Sequence, residues 1–482
     1  MFTVAVSAFS ASTSASSEPR IRLRPVVAGL RRDKVTPMAR ISSTEANQAN
    51  EDCRFVGKKL SFLRYLLFRG LTSDHSLTCV QAGLQNGLDN SILRRKMEIV
   101  SRFFRPPAGS YFLFGPRGTG KSLWTQIHYP DAIRLDLLDP KVFRDYTAHP
   151  EQLREVVEAN PAAHHVVIDE VQKIPELLSV VHALIESKKN RQFILTGSSA
   201  RKLKRSGVDL MAGRAVLRTL HPYMAAELGR RFDLVQFLQI GMVPLVVEAG
   251  APADVLASYS ALYLREEVQV EGLVRNIGAF SRFLEAVSFS HGSALNVSNV
   301  ARDCQVERKT VEGYVEILED LLLSYRVPVF TRRAKRELAA HPKLYFFDTG
   351  VFRSLRPQGP LDRPEEIDGA ALEGFVAQHL RAWIAYSGDK KELFYWRTRS
   401  GVEVDFVIYG VSGITAIEVK NSAQIRSEDL RGLRSFHQDY SRSQSLFLYR
   451  GRERRKIGDV LCVPIAEFLS QLRPGQPLWA KM

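Results

Sequence analysis

The stretch from Ser110 to Ser122, SYFLFGPRGTGKS, constrains this chain more than any other. It holds the pattern G-x-x-x-x-G-K-[ST] at Gly115, Gly120, Lys121 and Ser122, which works only between a strand and a helix. Both neighbours are legible. Tyr111, Phe112, Leu113 and Phe114 form a short apolar, aromatic-rich strand. Gly115, Gly118 and Gly120 then permit a tight loop, and the segment from Lys121 through Ile127 starts a helix. In that order backbone N–H groups and the positive helix terminus converge on a polyphosphate, with Pro116, Arg117, Gly118, Thr119 and Leu123 completing the lining. Lys121 reaches the outer phosphates and the Ser122 hydroxyl ligates Mg²⁺, so the expected ligands are ATP and Mg²⁺.

A second element supports the first. His165 to Ile168 reads as a buried strand, and it ends in two carboxylates, Asp169 and Glu170. Asp169 is placed to hold the water shell of Mg²⁺ and Glu170 to polarise an attacking water. The next apolar strand, QFILTGSS from Gln192 to Ser199, exits through Thr196, Ser198 and Ser199, which either sense the γ-phosphate or form a simple turn. Arg214 stands at the entrance of a further strand within MAGRAVLRT. It is either a finger towards a neighbouring copy's nucleotide, as a homo-oligomer would require, or an ordinary surface arginine.

At 482 residues the chain exceeds the usual single core and predicts two or three domains. The formal charge is +15, and residues 1–96 hold 15 Lys and Arg against 7 Asp and Glu. Those residues lack a sustained core pattern, and the first 50 are rich in Ser, Ala and Arg. Three readings stay open: disorder, an organellar transit peptide, or translation that begins at Met97. Cys53, Cys79, Cys304 and Cys462 form no C-x-x-C pair, which argues against a zinc site or a disulfide framework. No apolar run approaches a membrane span. The expectation is a cytoplasmic protein without a membrane partner, organellar if the extension is a transit peptide.

Further along, VSNVARDCQVERKTVEGYVEILEDLLL places apolar residues at helical spacing on both sides of a break near Cys304, a helix-turn-helix pattern. The helix from Glu307 presents Arg308, Lys309 and Glu312, and Arg332, Arg333, Lys335 and Arg336 follow as a wing. Such a module binds DNA or a protein partner. The last segment opens with a helix, Ala370 to Tyr386, carrying Glu373. Three strands follow: Glu392 to Arg397, Val402 to Ile408, and Gly413 to Lys420. Asp405 and the pair Glu418 and Lys420 sit on them, the latter two on one face. This is the E-x-K arrangement of restriction-type nucleases, in which Asp405 and Glu418 hold Mg²⁺, Glu373 adds a ligand and Lys420 orients water. Strict alternation then turns Val404, Phe406, Ile417 and Val419 together into a core. A surface ion pair explains Glu418 and Lys420 equally well.

The order FLFGPRGTGKS, VVIDEVQKIP, FILTGSSARKL, AGRAVLRTLHP, EILEDLLL, LYFFDTGV and EVDFVI followed by AIEVK resembles prokaryotic ATPases of the AAA superfamily that carry a C-terminal conserved domain of unknown function. The resemblance starts near Met97. It implies an α/β fold: a P-loop core of the additional-strand type over residues 97–225, a helical connector and winged helix over 226–345, and a restriction-endonuclease-like domain over 346–482. It implies an ATP-driven switch or remodeller whose C-terminal half binds DNA or a partner, or else an ATP-regulated nuclease. The GMVP stretch at Gly241 to Pro244 and the first 96 residues depart from the pattern.

Overall fold

The computed structural model describes residues 100–187, 190–199, 213–263, 268, 276–332, 334, 337–338, 341–360 and 362–478, the side chains of 262 and 263 excepted. The extension 1–96, Met97, Arg333, Lys335 and Arg336 lie outside the described residues. Everything described falls within one compact unit beginning at Ile99.

Strand β1 (Tyr111–Phe114) is buried at every position, as an all-apolar strand must be when both faces are covered. Phe112 and Phe114 pack on one side, Tyr111 and Leu113 with Trp124 on the other. Then follow α1 (Lys121–His128), β2 (Ile133–Asp136), α2 (Pro140–Ala148), α3 (Gln152–Ala159), β3 (His165–Asp169), α4 (Leu177–Glu186), β4 (Gln192–Gly197) and β5 (Val216–Thr219). The five strands are parallel in the order β2-β3-β4-β1-β5. Strand β4 therefore lies between the loop-bearing β1 and the acid-bearing β3, the additional-strand arrangement. Because all five strands run the same way, β1, β3 and β4 end on one edge, where α/β sheets bind their ligands.

A helical middle carries α5 (Ala225–Leu228), α6 (Leu234–Ile240), α7 (Pro244–Val247), α8 (Pro252–Ser258) and α9 (Ile277–Ser288). Next come β6 (Ser293–Ala294), α10 (Val297–Cys304), α11 (Arg308–Asp320), β7 (Ser324–Val327) and β8 (Lys343–Phe346). Helix α10 is capped by the Asn296 side chain, which accepts from Asn299 N, and ends at Gln305 in the left-handed region with φ 55°, a common helix stop. The break expected near Cys304 is there. The three short strands form an antiparallel sheet in the order β6-β8-β7.

The C-terminal part begins with α12 (Thr349–Leu355) and the 24-residue α13 (Pro364–Ser387). Strands β9 (Lys391–Arg397), β10 (Glu403–Gly410) and β11 (Gly413–Lys420), helix α14 (Arg431–Asp439), strands β12 (Gln444–Tyr449), β13 (Arg455–Ile457) and β14 (Val460–Pro464), and helix α15 (Ile465–Gln471) follow. The mixed sheet runs β13-β14-β12-β11-β10-β9. Helix α13 covers the face carrying Phe406, Ile417 and Val419, while α14 packs through Leu433 and Phe436 on the face of Val407, Ala416 and Phe447. The expected alternation fails at one position. Val404 packs with the α14 cluster rather than with Phe406, because the pairing to β9 slips between Val404 and Val407. A bulge inserts one residue there and flips the side chains before it.

Candidate functional site

The loop after β1 has the backbone its glycines foretell. Gly118 and Gly120 sit at φ 81° and 86°, where a side chain is strained. Gly115 is fixed by space: a Cβ there would lie 2.5 Å from the Leu220 carbonyl oxygen. Lys121 is buried, its Nζ donating to the carbonyls of Gly115 at 2.7 Å and Pro116 at 3.4 Å. Thr119 Oγ1 also donates to Pro116 O at 2.8 Å.

Other elements hold the loop from outside. Arg102 donates to Thr119 O at 3.0 Å, Leu245 N to Gly118 O at 3.1 Å, and Tyr259 Oη to Arg117 O at 3.1 Å. The divergent GMVP stretch is thus a structural part of the loop, since Val243 and Leu245 also close over Gly118. Ser122 and Leu123 open α1 on its exposed side.

The β3 acids are met by the exit of β4. Thr196 Oγ1 donates to Asp169 Oδ1. Glu170 adopts φ 57°, left-handed for a residue with a Cβ, a conformation that costs about 1–2 kcal/mol and recurs at functional sites. Its Oε2 accepts from Gln172 Nε2 at 2.5 Å and from Ser198 Oγ at 3.4 Å. Thr196 and Ser198 therefore touch the two acids directly. Ser199 is buried. Arg214 is exposed and pairs with Glu186 at the end of α4.

A second cluster forms where β8, α13, β10 and β11 meet. Phe406 pairs with Ile417, so the same register brings Asp405 opposite Glu418. Asp405 Oδ2 accepts from Val419 N at 2.8 Å, and Lys420 Nζ pairs with Glu418 Oε1 at 2.8 Å. Glu373 comes in from α13. All four anticipated residues share the cluster, but Lys343 of β8 stands among them. Its Nζ lies 2.9 Å from Glu373 Oε1 and 3.6 Å from Asp405 Oδ1, and it also pairs with Glu403. Tyr345 Oη donates to Glu373 Oε1 at 2.5 Å.

Burial pushes Glu373 up to about 7, with Lys343 pulling the other way and Asp405 adding to the rise. Burial and the Asp405 charge hold Glu418 well above the carboxylate range. Burial alone would lower the Lys343 ammonium, but Glu373, Asp405 and Glu403 together keep it well above an ordinary lysine.

Lys343, Glu403 and Tyr345 escaped the sequence reading. A weak signal existed: in KLYF the Lys and Tyr are two apart, on one strand face, ahead of Phe346. Nothing local showed that this strand would end beside Glu373.

Residues 108–229 match the AAA domain family, and residues 231–362 and 368–468 match two domains of unknown function, DUF8612 and DUF4143. Two uncharacterized proteins, from Mycobacterium tuberculosis and Mycobacterium bovis, are each 26% identical over 314 residues, covering 63% of this chain and 69% of the relative. An uncharacterized protein of Haemophilus influenzae is 22% identical over 228 residues, covering 44% of this chain and 57% of its own. Among solved structures, AMPPCP-bound DnaA from Aquifex aeolicus is 12% identical, with a TM-score of 0.22 over 48% of this chain and 86% of that one.

Proposed function

From a chain that joins an AAA-domain P-loop ATPase fold to a C-terminal domain of unknown function, we propose an ATP-hydrolysing switch or remodeller whose C-terminal half binds DNA or a protein partner. One observation carries the reading: Lys121 is folded against its loop while, at the ends of the neighbouring strands, Thr196 holds Asp169 and Ser198 and Gln172 hold Glu170. These residues fit ATP and Mg²⁺. Lys121 would leave the loop carbonyls for the outer phosphates, and Ser122 and Asp169 supply the oxygen donors that Mg²⁺ prefers. Bound there, the ion neutralises phosphate charge. Glu170 then orients water, Gln172 and Ser198 fixing its carboxylate beforehand. Arg214 remains the candidate finger in a homo-oligomer, released from Glu186.

The α9 to β8 segment, with α10 and α11 followed by an antiparallel sheet, supports a winged-helix reading. The mixed sheet between α13 and α14 supports a restriction-endonuclease-like one. A second reading, an ATP-regulated Mg²⁺-dependent nuclease, has the meeting of Glu373, Asp405, Glu418 and Lys420 in its favour and the ammonium of Lys343 among them against it. ATP turnover measured with and without DNA tests the first reading: DNA-stimulated turnover supports a DNA-coupled switch, and absence of turnover under all conditions contradicts it. Metal-dependent cleavage of plasmid DNA tests the second.

A further inference from the structure

The C-terminal acids invite a divalent cation, but the residues around them do not fit one. Mg²⁺ requires near-octahedral oxygen coordination at about 2.1 Å. Most of the oxygens here already have a cationic, hydroxyl or N–H partner. Glu373 Oε1 accepts from both Lys343 Nζ and Tyr345 Oη. Asp405 Oδ2 accepts from Val419 N, and its Oδ1 lies in ionic contact with Lys343 Nζ. Glu418 Oε1 is taken by Lys420, and its Oε2, buried, has no hydrogen-bond partner. Among the described residues no group of three or more His, Cys, Asp or Glu is arranged to hold a metal ion.

A lysine ammonium has three donors and no acceptor, and Lys343 meets three carboxylates, Glu373, Glu403 and Asp405. Its side chain is only 4% exposed, and a buried ammonium persists only where such partners neutralise it. Charge balance agrees. Four carboxylates face three cations, Lys343, Lys420 and, through Glu403, Arg397 at 3.4 Å, which offset all but one of the formal negative charges without a divalent ion. An ion entering between Glu373 and Asp405 would meet Lys343 within ionic contact and be repelled in a poorly solvated site.

We infer that the ammonium of Lys343 occupies the position where a nuclease of this architecture would bind its divalent cation, and that the C-terminal site is closed by this internal cation and takes no metal. It acts as a fastener. Lys343 belongs to β8 of the middle sheet, and its carboxylate partners belong to α13 and β10, so the ion cluster ties the helix-turn-helix segment to the C-terminal sheet. The chain just after β7 adds to the tie, with Phe330 N donating to Tyr395 O at 2.7 Å and Tyr395 N to Pro328 O at 3.0 Å. The inference rests on the reading of the C-terminal half as a binding module, and it leaves the ATPase reading untouched.

Mn²⁺ binding tests it, followed by the electron paramagnetic resonance of the free ion. The full chain carries Asp169→Asn to silence the phosphate-loop site, and no nucleotide is added. The parent should bind no Mn²⁺ that Asp405→Asn removes. Lys343→Met, which keeps the stem length without the charge, should bind severalfold more Mn²⁺ than the parent, and Asp405→Asn should abolish that gain. Parent binding that Asp405→Asn abolishes would overturn the inference. So would a cooperatively melting Lys343→Met chain that binds no more than the parent. If Lys343→Met does not fold, the comparison of the parent with Asp405→Asn decides alone. Absence of ATP turnover in the wild-type chain, by contrast, would strike the proposed function and not this site.

Discussion

Asp348 shows how a single buried carboxylate couples two parts of the molecule. Its Oδ2 accepts from Met242 N at 2.7 Å and its Oδ1 from Val351 N at 3.2 Å, so the GMVP stretch over the phosphate loop hangs on the start of α12. Burial pushes its pKa up to about 6, against the opposing pull of the backbone N–H groups of Met242, Val351 and Gly350. An acid whose folded pKa lies above its unfolded one favours folding while protonated, and that contribution is lost as pH rises from about 4 through 6. The difference in unfolding free energy between wild type and Asp348→Asn should therefore shift against wild type by roughly 2–3 kcal/mol across that window. Urea melts at pH 4 and pH 6.5 measure it, and a pH-independent difference would refute the burial argument. At Gly115 the prediction is steric. Gly115→Ala sets a Cβ against Leu220 O and should cost about 1–3 kcal/mol by overpacking, along with most nucleotide affinity. Unchanged melting and affinity would show that the loop has room.

Helix α13 is the element that gathers most of the chain. Glu373 stands in the acid cluster, Gln378 accepts from Thr349 N at 3.1 Å, His379 Nε2 from Ala225 N at 3.0 Å, and Tyr386 Oη from His221 N at 2.8 Å. At 24 residues and about 1.5 Å each it spans roughly 36 Å. Its seating depends on Gly374, where a Cβ would lie 2.1 Å from His291 Nε2. Gly374→Ala should accordingly lower stability by about 1–3 kcal/mol, and an unshifted thermal midpoint would contradict the packing.

At this scale the sequence was unevenly legible. Strands β1 and β3 and the strand β11 at Gly413 to Lys420 could be read because their motifs are contiguous, and α10 and α11 because helical periodicity is local. Strands β8, β12 and β14 lacked such marks, and their pairing is set by distant partners. The acid cluster was legible in Glu373, Asp405, Glu418 and Lys420. Lys343 was not, since its burial is decided by tertiary contacts with α13 and β10, and the bulge at Val404 is likewise invisible to a strict two-residue period.

For the whole molecule the formal charge of +15 is spread unevenly, and α11 and the chain after β7 do not present all of their share. Arg308 pairs with Glu312 at 3.1 Å within α11, and Arg332 lies 4.5 Å over the Tyr409 ring and pairs with Glu392. DNA binding, where present, should weaken steeply with salt, as phosphate contacts require, and neutralising Arg308 and Lys309 should reduce the salt slope. Salt-independent binding would indicate a protein partner instead. No helix among the described residues is long and apolar enough to cross a membrane.

If Lys121 contacts phosphate while Glu170 handles water, as proposed, nucleotide binding measured beside turnover separates the two roles. Lys121→Ala should lose ATP binding and turnover together. Glu170→Gln should keep ATP affinity near wild type while turnover falls on the order of 100-fold or more, the scale of a lost general base. Equal loss of binding in both variants, or undiminished turnover in either, would contradict the account.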